Sequence, residues 1–396
     1  MNARARATVS IILPTFNRAR YLPAALDSLL GQSVPAAELI VVNDGSSDET
    51  SAVLAPYRDR IVYLAQANAG KSAALNSGLR RARGDYIWVF DDDDIACPDA
   101  LERHLAVLER EREVGFTLSG SYRCNEDPAS GALRVERAQP LRPFVDDDAL
   151  LELLLSSYVA GPSSVIRSSL LAEVGPFRED LVRAEDFEMA LRLSLRRRPA
   201  RLDDPRPTYY RRWHSGPRGP QGAQFEFAES VARSRTAERL VLRDLAAVLL
   251  PSHYLPRSEW QAPQDDARQC RAQLRRWAVA VQKSMWPEAA SAFLDLRACA
   301  PILAALPRSE MMWTCRAFSD LHALAELRDT PQALRDVATM LREPWARPLR
   351  QAALRQMGYH LRAGLQQREL PRLRLIAVLA WPLFGRRSLP AVAISA

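Results

Sequence analysis

Short apolar runs alternate with amphipathic stretches along the first half of the chain. Four of these runs, rich in valine, isoleucine and leucine, predict buried strands. They are residues 9–13, 39–42, 61–64 and 86–90. Between them, leucine and alanine recur at helical spacing, as in residues 21–32 and 71–83. Strands and helices that alternate with short connections predict a mainly parallel, doubly wound α/β sheet.

The second half of the chain shows helical periodicity and no strand-rich section. Its predicted helices lie near residues 226–250, 272–283, 287–299, 310–327, 332–341, 349–365 and 370–387. A Gly- and Pro-rich stretch at 216–224 predicts a linker. We therefore expect an α/β domain over residues 1–215, the linker, and an all-α C-terminal domain over residues 225–396. The helical domain is a candidate for acceptor, oligomer or membrane-surface contact.

Four consecutive aspartates, residues 91–94, follow the most apolar strand. Most short runs of acidic residues form exposed turns. However, open α/β sheets bind ligands at their carboxyl strand ends. In an extended segment Asp91 and Asp93 point the same way, so they can share one hard cation with phosphate oxygens. The pattern favours a metal and diphosphate site.

Polar loops follow two further strands of the predicted sheet. Residues 14–17 follow the first strand, and Asn43 and Asp44 follow the second. Each loop alone is compatible with an ordinary turn. In a parallel sheet, however, the loops after the first, second and fourth strands converge on one crevice. We therefore expect the three loops to form one site.

Four of these segments resemble the successive signatures of family 2 glycosyltransferases with the GT-A fold. The segments are 10–18 (SIILPTFNR), 41–48 (VVNDGSSD), 68–78 (NAGKSAALNSG) and 90–94 (FDDDD). They occur in the family's order and spacing, and the resemblance extends over about residues 8–215. It implies a Rossmann-like GT-A domain with a mainly parallel sheet flanked by helices. It also implies a nucleotide-sugar donor, with UDP favoured because Asp44 can accept a hydrogen bond from a uracil imide.

The resemblance also implies roles for individual residues. Those that it places at the donor are Pro14, Thr15, Phe16, Asn17, Arg18, Asp44, Asn68, Gly70, Lys71, Asp91 and Asp92. Asp91 and Asp93 match the DxD pattern that holds Mn²⁺ or Mg²⁺, with Asp93 the first choice as direct ligand. Asp94 matches an acid that faces the sugar.

A second acidic motif, residues 183–188 (RAEDFE), looks like the family's Glu-Asp motif. The helix dipole also stabilises acids in the first turn of a helix. For Glu185 and Glu188, this structural role is as well supported as a role in the site. For Asp186 the resemblance implies the general base that deprotonates the acceptor hydroxyl in an inverting transfer.

The resemblance places the last strand of the core at residues 207–214. In the family, this strand brings a basic or imidazole side chain next to the diphosphate. His214 is thus a candidate metal or phosphate ligand, and an ordinary hydrogen-bonded histidine is the alternative. Arg211 and Arg212 alternate across the strand, so we expect only one to face the site. The processive Gln-x-x-Arg-Trp signature is absent from 210–213, which argues against a cellulose-synthase-like polymerase.

Composition limits the classes of partner and the cellular compartment that we expect for this protein. The chain has 396 residues and a formal net charge of +7, which suits a nucleotide partner without indicating nucleic acid. Five cysteines without CxxC spacing indicate reduced thiols and a cytoplasmic protein. No segment is long enough to span a membrane. The basic, apolar segment 370–387 either lies at the inner face of the membrane or packs on its own domain.

These patterns predict an inverting, metal-dependent glycosyltransferase that moves a sugar from a nucleotide diphosphate donor to a hydroxyl acceptor. The acceptor is a glycan, a lipid-linked glycan or a protein, as in bacterial surface polysaccharide, glycolipid or glycoprotein synthesis. Two alternatives stay open: a sugar nucleotidyltransferase, which also uses strand-end acids and a metal, and a non-catalytic scaffold that works through its helical half. The sequence does not distinguish a monomer from an oligomer.

Overall fold

The computed structural model describes residues 7–127, 133–141, 143–144, 149–155, 159–213 and 227–384. Its strands are β1 (Val9–Thr15), β2 (Glu38–Asn43), β3 (Val62–Ala65), β4 (Tyr86–Val89), β5 (Ile95–Ala96), β6 (Phe116–Leu118), β7 (Ser121–Glu126), β8 (Leu133–Gln139), β9 (Val165–Arg167), β10 (Pro199–Arg201) and β11 (Tyr209–Trp213). The helices of the α/β part are α1 (Leu22–Leu30), α2 (Thr50–Leu54), α3 (Lys71–Arg81), α4 (Ala100–Arg110), α5 (Ala149–Leu155), α6 (Ser168–Val174) and α7 (Glu185–Arg196).

The larger sheet has the strand order β10-β6-β9-β4-β1-β2-β3. Strands β4, β1, β2 and β3 run parallel, as expected of alternating strands and helices. Strand β9 runs antiparallel to β4 and β6, so the sheet is mixed. Strand β1 lies between β2 and β4, and this order brings the carboxyl ends of these three strands together at one edge.

A smaller sheet with the order β5-β11-β7-β8 lies beyond the acid run. Strand β11 pairs in parallel with β7, and β5 and β8 pair antiparallel to their neighbours. Part of the polar stretch 125–142 thus forms strand β8. Strand β8 lies at the edge of this sheet and forms because it pairs with β7; its side chains are largely exposed, so they carry no strong apolar pattern.

The main apolar core lies between the large sheet and helices α1 and α4. Trp88 and Phe90 are fully buried there and meet edge to face at 5.2 Å. Leu26 and Leu105 bring the helices onto the same core. Successive residues of β1, β2 and β4 are buried on both faces of the sheet, which explains why these strands are apolar along their length. The strand-end loops are therefore held by a packed scaffold.

The C-terminal half is helical in the described residues. Its helices are α8 (Phe227–Leu245), α9 (Asp266–Gln282), α10 (Trp286–Ala298), α11 (Ala300–Leu303), α12 (Arg308–Ala317), α13 (Leu321–Asp329), α14 (Pro331–Arg342), α15 (Arg347–Gln366) and α16 (Leu370–Phe384). The predicted helix 310–327 is two helices, because the Asp320 side chain accepts a hydrogen bond from Ala323 N and starts α13 anew. The α/β domain followed by helices confirms the predicted fold class.

The chain divides into two compact units, Met1–Leu242 and Arg243–Ala396. The division falls within α8, whereas the predicted linker begins at residue 216, and residues 214–226 lie outside the described part. In the second unit, helix α16 packs against α13, α14 and α15. Its apolar side chains Ile376, Leu379 and Leu383 are buried there. No helix among the described residues is long and apolar enough to cross a bilayer.

Candidate active site

The carboxyl ends of β1, β2 and β4 border a cleft of about 510 Å³. Among the residues that line it are Pro14, Thr15, Phe16, Arg18, Asp44, Asn68, Gly70, Lys71, Asp91, Asp93, Asp186 and Arg211. The three strand-end loops therefore meet at one place, as the parallel topology requires. Helix α8 contributes Ser234 and Glu238 to the same cleft.

Asp44 organises one wall of the cleft from a buried position. Its Oδ1 accepts hydrogen bonds from Gln66 Nε2 at 2.8 Å and Ala69 N at 2.9 Å. Its Oδ2 accepts from Asn68 Nδ2 at 3.1 Å and Gly70 N at 2.8 Å. A carboxylate has about four acceptor positions. The loop 66–70 therefore uses the acceptor positions of Asp44, and Asp44 shapes the cleft by holding that loop.

Asn17 and Arg18 serve different surfaces of the β1 loop. Asn17 does not line the cleft; its side-chain Oδ1 accepts from Ser47 N at 2.8 Å, and its backbone N–H donates to Ser46 Oγ at 2.9 Å. It thereby joins the loops after β1 and β2. Arg18 lines the cleft, and its Nε lies 4.0 Å from Asp92 Oδ1.

The four aspartates form a turn and not the expected extended segment, since Asp94 N donates to the Asp91 carbonyl at 3.3 Å. The turn points the four carboxylates in more than one direction, which separates their negative charges. Asp91 and Asp93 line the cleft, whereas Asp92 and Asp94 do not. The expectation that Asp91 and Asp93 share one surface thus survives, but for a different geometric reason.

Asp92 and Asp94, which do not line the cleft, each have an arginine as a neighbour. Burial, with the Asp93 charge, raises the pKa of Asp92 to about 7, although Arg18 opposes the shift. Asp94 is buried, and its Oδ1 accepts from Arg212 N at 2.9 Å. Burial raises the pKa of Asp94 well above its usual range, and the charges of Asp93 and Asp91 add to this. Asp94 thus anchors β11, although the resemblance implies an acid that faces the sugar.

Lys71 bridges the aspartate turn and helix α7. Its Nζ lies 2.8 Å from Asp91 Oδ1 and 3.0 Å from Glu185 Oε1. Burial alone would lower the pKa of Lys71, but Asp91, Glu185 and Asp186 raise it well above its usual value. The same pairing lowers the pKa of Glu185, against the effect of its burial. Lys71 and Glu185 are therefore both charged near neutral pH.

Asp186 stands in the first turn of α7 and lines the same cleft. The residue before the helix, Ala184, has a φ of 65°, a left-handed conformation that costs a non-glycine residue about 1–2 kcal/mol. Burial raises the pKa of Asp186 to about 7, and the neighbouring Glu185 charge adds to the effect. Below the carboxyl lies a small apolar cavity of about 30 Å³ bordered by Met189 and Phe177, which explains the poor solvation.

Strand β11 places its two arginines on opposite sides, as alternation predicts. Arg211 lines the cleft, and the described residues offer its guanidinium no hydrogen bond and no ion pair. Arg212 is buried, donates from Nε to the Asp93 carbonyl at 3.0 Å, and holds the aspartate turn. His214, the third candidate metal ligand, lies outside the described residues.

The donor set fits a hard divalent cation in part. Asp91 and Asp93 offer carboxylate oxygens, the ligands that Mn²⁺ and Mg²⁺ prefer, on one cleft wall. Within the described ranges, no three side chains of the His, Cys, Asp and Glu types gather into a complete metal site. A cation there would need further oxygen ligands, such as those of a bound diphosphate.

The cleft thus combines three chemical groups. Asp186 has a pKa near neutrality and can accept a proton. Lys71 and Arg211 are cations that can stabilise an anionic leaving group. Asp91 and Asp93 can share a metal ion. Such a set suits the transfer of a group from a phosphorylated donor to a hydroxyl.

Two functional-looking residues were not singled out from the sequence. Glu185 had equal support as a helix-capping acid, and only its ion pair with Lys71 reveals its second contact. Glu238 belongs to a helix assigned to the C-terminal half, yet it lines the cleft. Helical periodicity shows that a helix has an apolar face but does not show which surface that face meets.

A sequence profile described as Glycosyl transferase family 2 matches residues 10–175. An uncharacterised glycosyltransferase of Rickettsia felis is 32% identical over 198 residues, which is 50% of this chain and 33% of that protein. An uncharacterised glycosyltransferase of Rickettsia prowazekii is 33% identical over 181 residues, 46% of this chain and 57% of that protein. The chain thus spans less than two thirds of the length of these relatives.

Two solved structures illustrate the range of structural likeness. S. aureus TarS 1–349 in complex with UDP-GlcNAc is 19% identical, with a TM-score of 0.48 over 91% of this chain and 92% of that chain. The mannosyltransferase PcManGT from Pyrobaculum calidifontis, in complex with GDP-Man and Mn²⁺, is 18% identical, with a TM-score of 0.39 over 95% and 88% of the two chains. Both scores are below 0.5, so these structures do not define the ligands of this chain.

Proposed function

Because the chain belongs to glycosyltransferase family 2 through its domain at residues 10–175, we propose that it transfers a sugar from a nucleoside diphosphate sugar to a hydroxyl acceptor, with inversion at the anomeric carbon. UDP is the proposed nucleotide on the resemblance of the motifs alone, because the loop 66–70 uses the acceptor positions of Asp44 that were expected to receive a uracil imide. The acceptor hydroxyl belongs to a glycan, a lipid-linked glycan or a protein.

The loops after β1 and β2 hold the nucleotide in this proposal. Phe16 and Arg18 line the cleft beside the loop that Asp44 organises. Lys71 stands at the start of α3, where the helix dipole favours an anion. Lys71 already carries a positive charge. The proposed diphosphate therefore lies between α3 and the aspartate turn.

Asp91 and Asp93 are the proposed ligands of Mn²⁺ or Mg²⁺, with His214 a further candidate. When bound, such a cation neutralises charge that develops on the departing diphosphate. Lys71 and Arg211 contribute positive charge on the protein side. Arg212 acts indirectly, because it holds the backbone of the aspartate turn in place.

Asp186 is the proposed general base. Its carboxylate takes the proton of the acceptor hydroxyl while the hydroxyl oxygen attacks the anomeric carbon. The bond from that carbon to the diphosphate oxygen breaks, and the nucleoside diphosphate leaves from the opposite face. Glu185 keeps its charge through Lys71. It thereby holds the pKa of Asp186 up, so that the base accepts a proton near neutral pH.

The observation that carries this proposal is that Asp91, Asp93, Lys71 and Asp186 line one cleft. It is tested by calorimetric titration of UDP into the full chain with and without Mn²⁺. We expect Mn²⁺ to tighten UDP binding in the wild type and to have no such effect in Asp93→Ala. The matched variant Asp59→Ala, an exposed acid outside the cleft, should behave like the wild type.

The products of turnover distinguish the proposal from its enzymatic alternative. A glycosyltransferase releases UDP from a UDP-sugar, whereas a nucleotidyltransferase releases pyrophosphate when it is given UTP and a sugar 1-phosphate. Release of pyrophosphate, or UDP binding that is identical in Asp93→Ala and the wild type with Mn²⁺ present, would contradict the assignment.

A further inference from the structure

Asn76 lies in the middle of α3, and its side chain is buried. Its Nδ2 donates hydrogen bonds to the Phe177 carbonyl at 2.9 Å and to Glu179 Oε1 at 2.8 Å. Its Oδ1 accepts a hydrogen bond from Phe177 N at 2.8 Å. One side-chain amide therefore binds both backbone polar groups of a residue that lies 101 positions further along the chain.

The residues after this contact form a loop, residues 180–184, that leads into the active site. Four residues of this loop, 181–184, border the proposed donor cleft, and so does Glu179 before it. Helix α7, which carries Asp186, begins directly after the loop. The apolar side chain of Val182 is 56% exposed in the loop. The position of the loop therefore affects both the shape of the cleft and the placement of the proposed base.

Helix α3 holds this loop at both of its ends. Before the loop, Asn76 binds Phe177 and Glu179. After the loop, Lys71 of the same helix pairs with Glu185 at 3.0 Å. The loop is therefore fixed relative to the helix whose first turn borders the proposed diphosphate.

Helix α7 holds the preceding backbone through Arg192. The Nη1 of Arg192 donates to the Val174 carbonyl at 2.6 Å, and its Nη2 donates to the Pro176 carbonyl at 2.8 Å. Its Nε donates to Glu188 Oε1 at 2.7 Å, so α7 itself orients the guanidinium. Loss of the Asn76 amide would leave these contacts with α7 intact and would remove hydrogen bonds that join the segment to α3. We therefore expect the loop to shift relative to α3 and not to unfold.

A shift of this kind bears on the chemical step. A general base acts only within hydrogen-bond reach of the proton that it takes. A misplacement of about 1 Å, caused far from the reacting atoms, can lower a rate about 100-fold. Buried hydrogen bonds that lock the neighbouring backbone provide the precision that such a base needs.

We infer that Asn76 is a positioning residue for the proposed transfer. Its side-chain amide holds the loop 180–184 against α3 and thereby keeps Asp186 within reach of the acceptor hydroxyl. Asn76 itself lies outside the lining of the donor cleft, so it acts through the loop and not by contact with a substrate. This inference rests on the proposed function and adds a residue on which the rate of the chemical step depends.

The test compares two buried amides that form the same number of hydrogen bonds. Gln32, which follows α1, donates from Nε2 to the carbonyls of Ser28 and Cys97 at 3.0 and 2.8 Å, and its Oε1 accepts from Leu101 N at 3.0 Å. It is buried and lies outside the lining of the cleft. Asn76→Ala and Gln32→Ala should therefore lower the urea midpoint of unfolding by similar amounts.

Turnover separates positioning from stability. Release of UDP by the full chain is measured with Mn²⁺, with water as the acceptor and with UDP-glucose, UDP-galactose or UDP-N-acetylglucosamine as the donor. With the donor that reacts fastest, Asn76→Ala should lower kcat about 10-fold to 100-fold, while KM for the donor stays near that of the wild type. Gln32→Ala should leave both constants near those of the wild type. UDP affinity, measured by calorimetry, reports whether each variant is folded.

A pair of substitutions provides a rescue. Asn76→Asp can still accept from Phe177 N, but its carboxylate repels Glu179, so it should lower kcat at least as much as Asn76→Ala. Adding Glu179→Gln gives that carboxylate an amide donor, and the double variant should regain kcat several-fold over Asn76→Asp.

Three results would overturn this inference and leave the proposed function standing. They are wild-type turnover in Asn76→Ala, equal losses of kcat in Asn76→Ala and Gln32→Ala, and a double variant no faster than Asn76→Asp. Failure of the wild type to bind UDP, or to release UDP from any of the three donors, would instead overturn the proposed function.

Discussion

Two adjacent acids, Glu185 and Asp186, have opposite pKa shifts. The pKa of Glu185 is lowered because Lys71 outweighs the cost of burial, and the pKa of Asp186 is raised to about 7 by burial and by Glu185. Neighbouring titratable groups with diverging pKa values mark acid–base assignments in enzyme sites. Lys71 thus keeps Glu185 charged, while the adjacent Asp186 can take up a proton near neutral pH.

The residue-scale prediction concerns the pH dependence of Asp186. Below a pKa of about 7 the carboxyl is protonated and accepts no proton, so kcat/KM should rise with pH through about 7. Asp186→Asn should lower kcat by roughly 10²–10⁴-fold. UDP affinity, measured by calorimetry, should remain near that of the wild type.

The control is Asp180→Asn, the same exchange at an exposed acid that pairs with Arg178 on the surface. Its pH profile should match that of the wild type. Turnover at the wild-type rate in Asp186→Asn would remove Asp186 from the role of base.

At the scale of elements, two helix ends set the active-site backbone. Helix α3 begins after Gly70, which has a φ of 93° and a ψ of 164°, a region open essentially to glycine alone. Helix α7 begins after Ala184, which is left-handed. These conformations aim the first residues of both helices, Lys71 and Glu185, at each other. Their ion pair joins the two helix starts.

The element-scale prediction compares two glycines of similar backbone conformation. Gly175, after α6, has a φ of 89° and a ψ of −176°, and a Cβ atom at Gly70 or at Gly175 would meet no heavy atom closer than about 4 Å. Gly70→Ala and Gly175→Ala should each lower the free energy of unfolding by about 1–3 kcal/mol in urea titrations. Only Gly70→Ala should also weaken UDP binding, because Gly70 lines the donor cleft. Equal UDP affinity in the two variants would contradict the placement of the diphosphate at α3.

At the scale of the whole molecule, the described structure favours one of two roles for the C-terminal segment. Most of the described apolar side chains of α16, including Ile376, Leu379 and Leu383, are buried in its own unit, whereas Val378 is exposed. Burial of such a face stabilises that unit by the hydrophobic effect. The described part of the segment therefore contributes to the core of that unit, and its Arg374 is exposed.

The corresponding prediction uses two adjacent residues of α16. Leu379 is fully buried, whereas Val378 is 53% exposed. Leu379→Asp should lower the free energy of unfolding by roughly 3 kcal/mol or more, because it removes buried apolar contacts and adds a charge. Val378→Asp should have little effect on stability. Both are measured by calorimetric unfolding, with co-sedimentation on anionic vesicles in parallel; vesicle binding that Val378→Asp abolishes would restore the membrane role.

The elements that sequence patterns predicted are those defined by local chemistry. The parallel strands, the helices between them and the convergence of their loops follow from apolar runs and polar strand ends. The sequence patterns did not predict strand β8 or the short strands β5, β9 and β10, because the hydrogen bonds of these strands depend on partners elsewhere in the chain. Their own residues do not show the alternation that marks a strand.

The amino-acid sequence by itself determined the fold class, the match of residues 10–175 to glycosyltransferase family 2 and most residues of the candidate cleft, because strand-end motifs are contiguous and carry their residue types with them. The tertiary structure alone decided which acids line the cleft and which pack into the scaffold. Asp94 lies 118 residues from Arg212, and contact with that arginine commits it to the scaffold. Lys71 and Asp186 likewise meet only in the folded chain, where burial and neighbouring charge set their proton affinities.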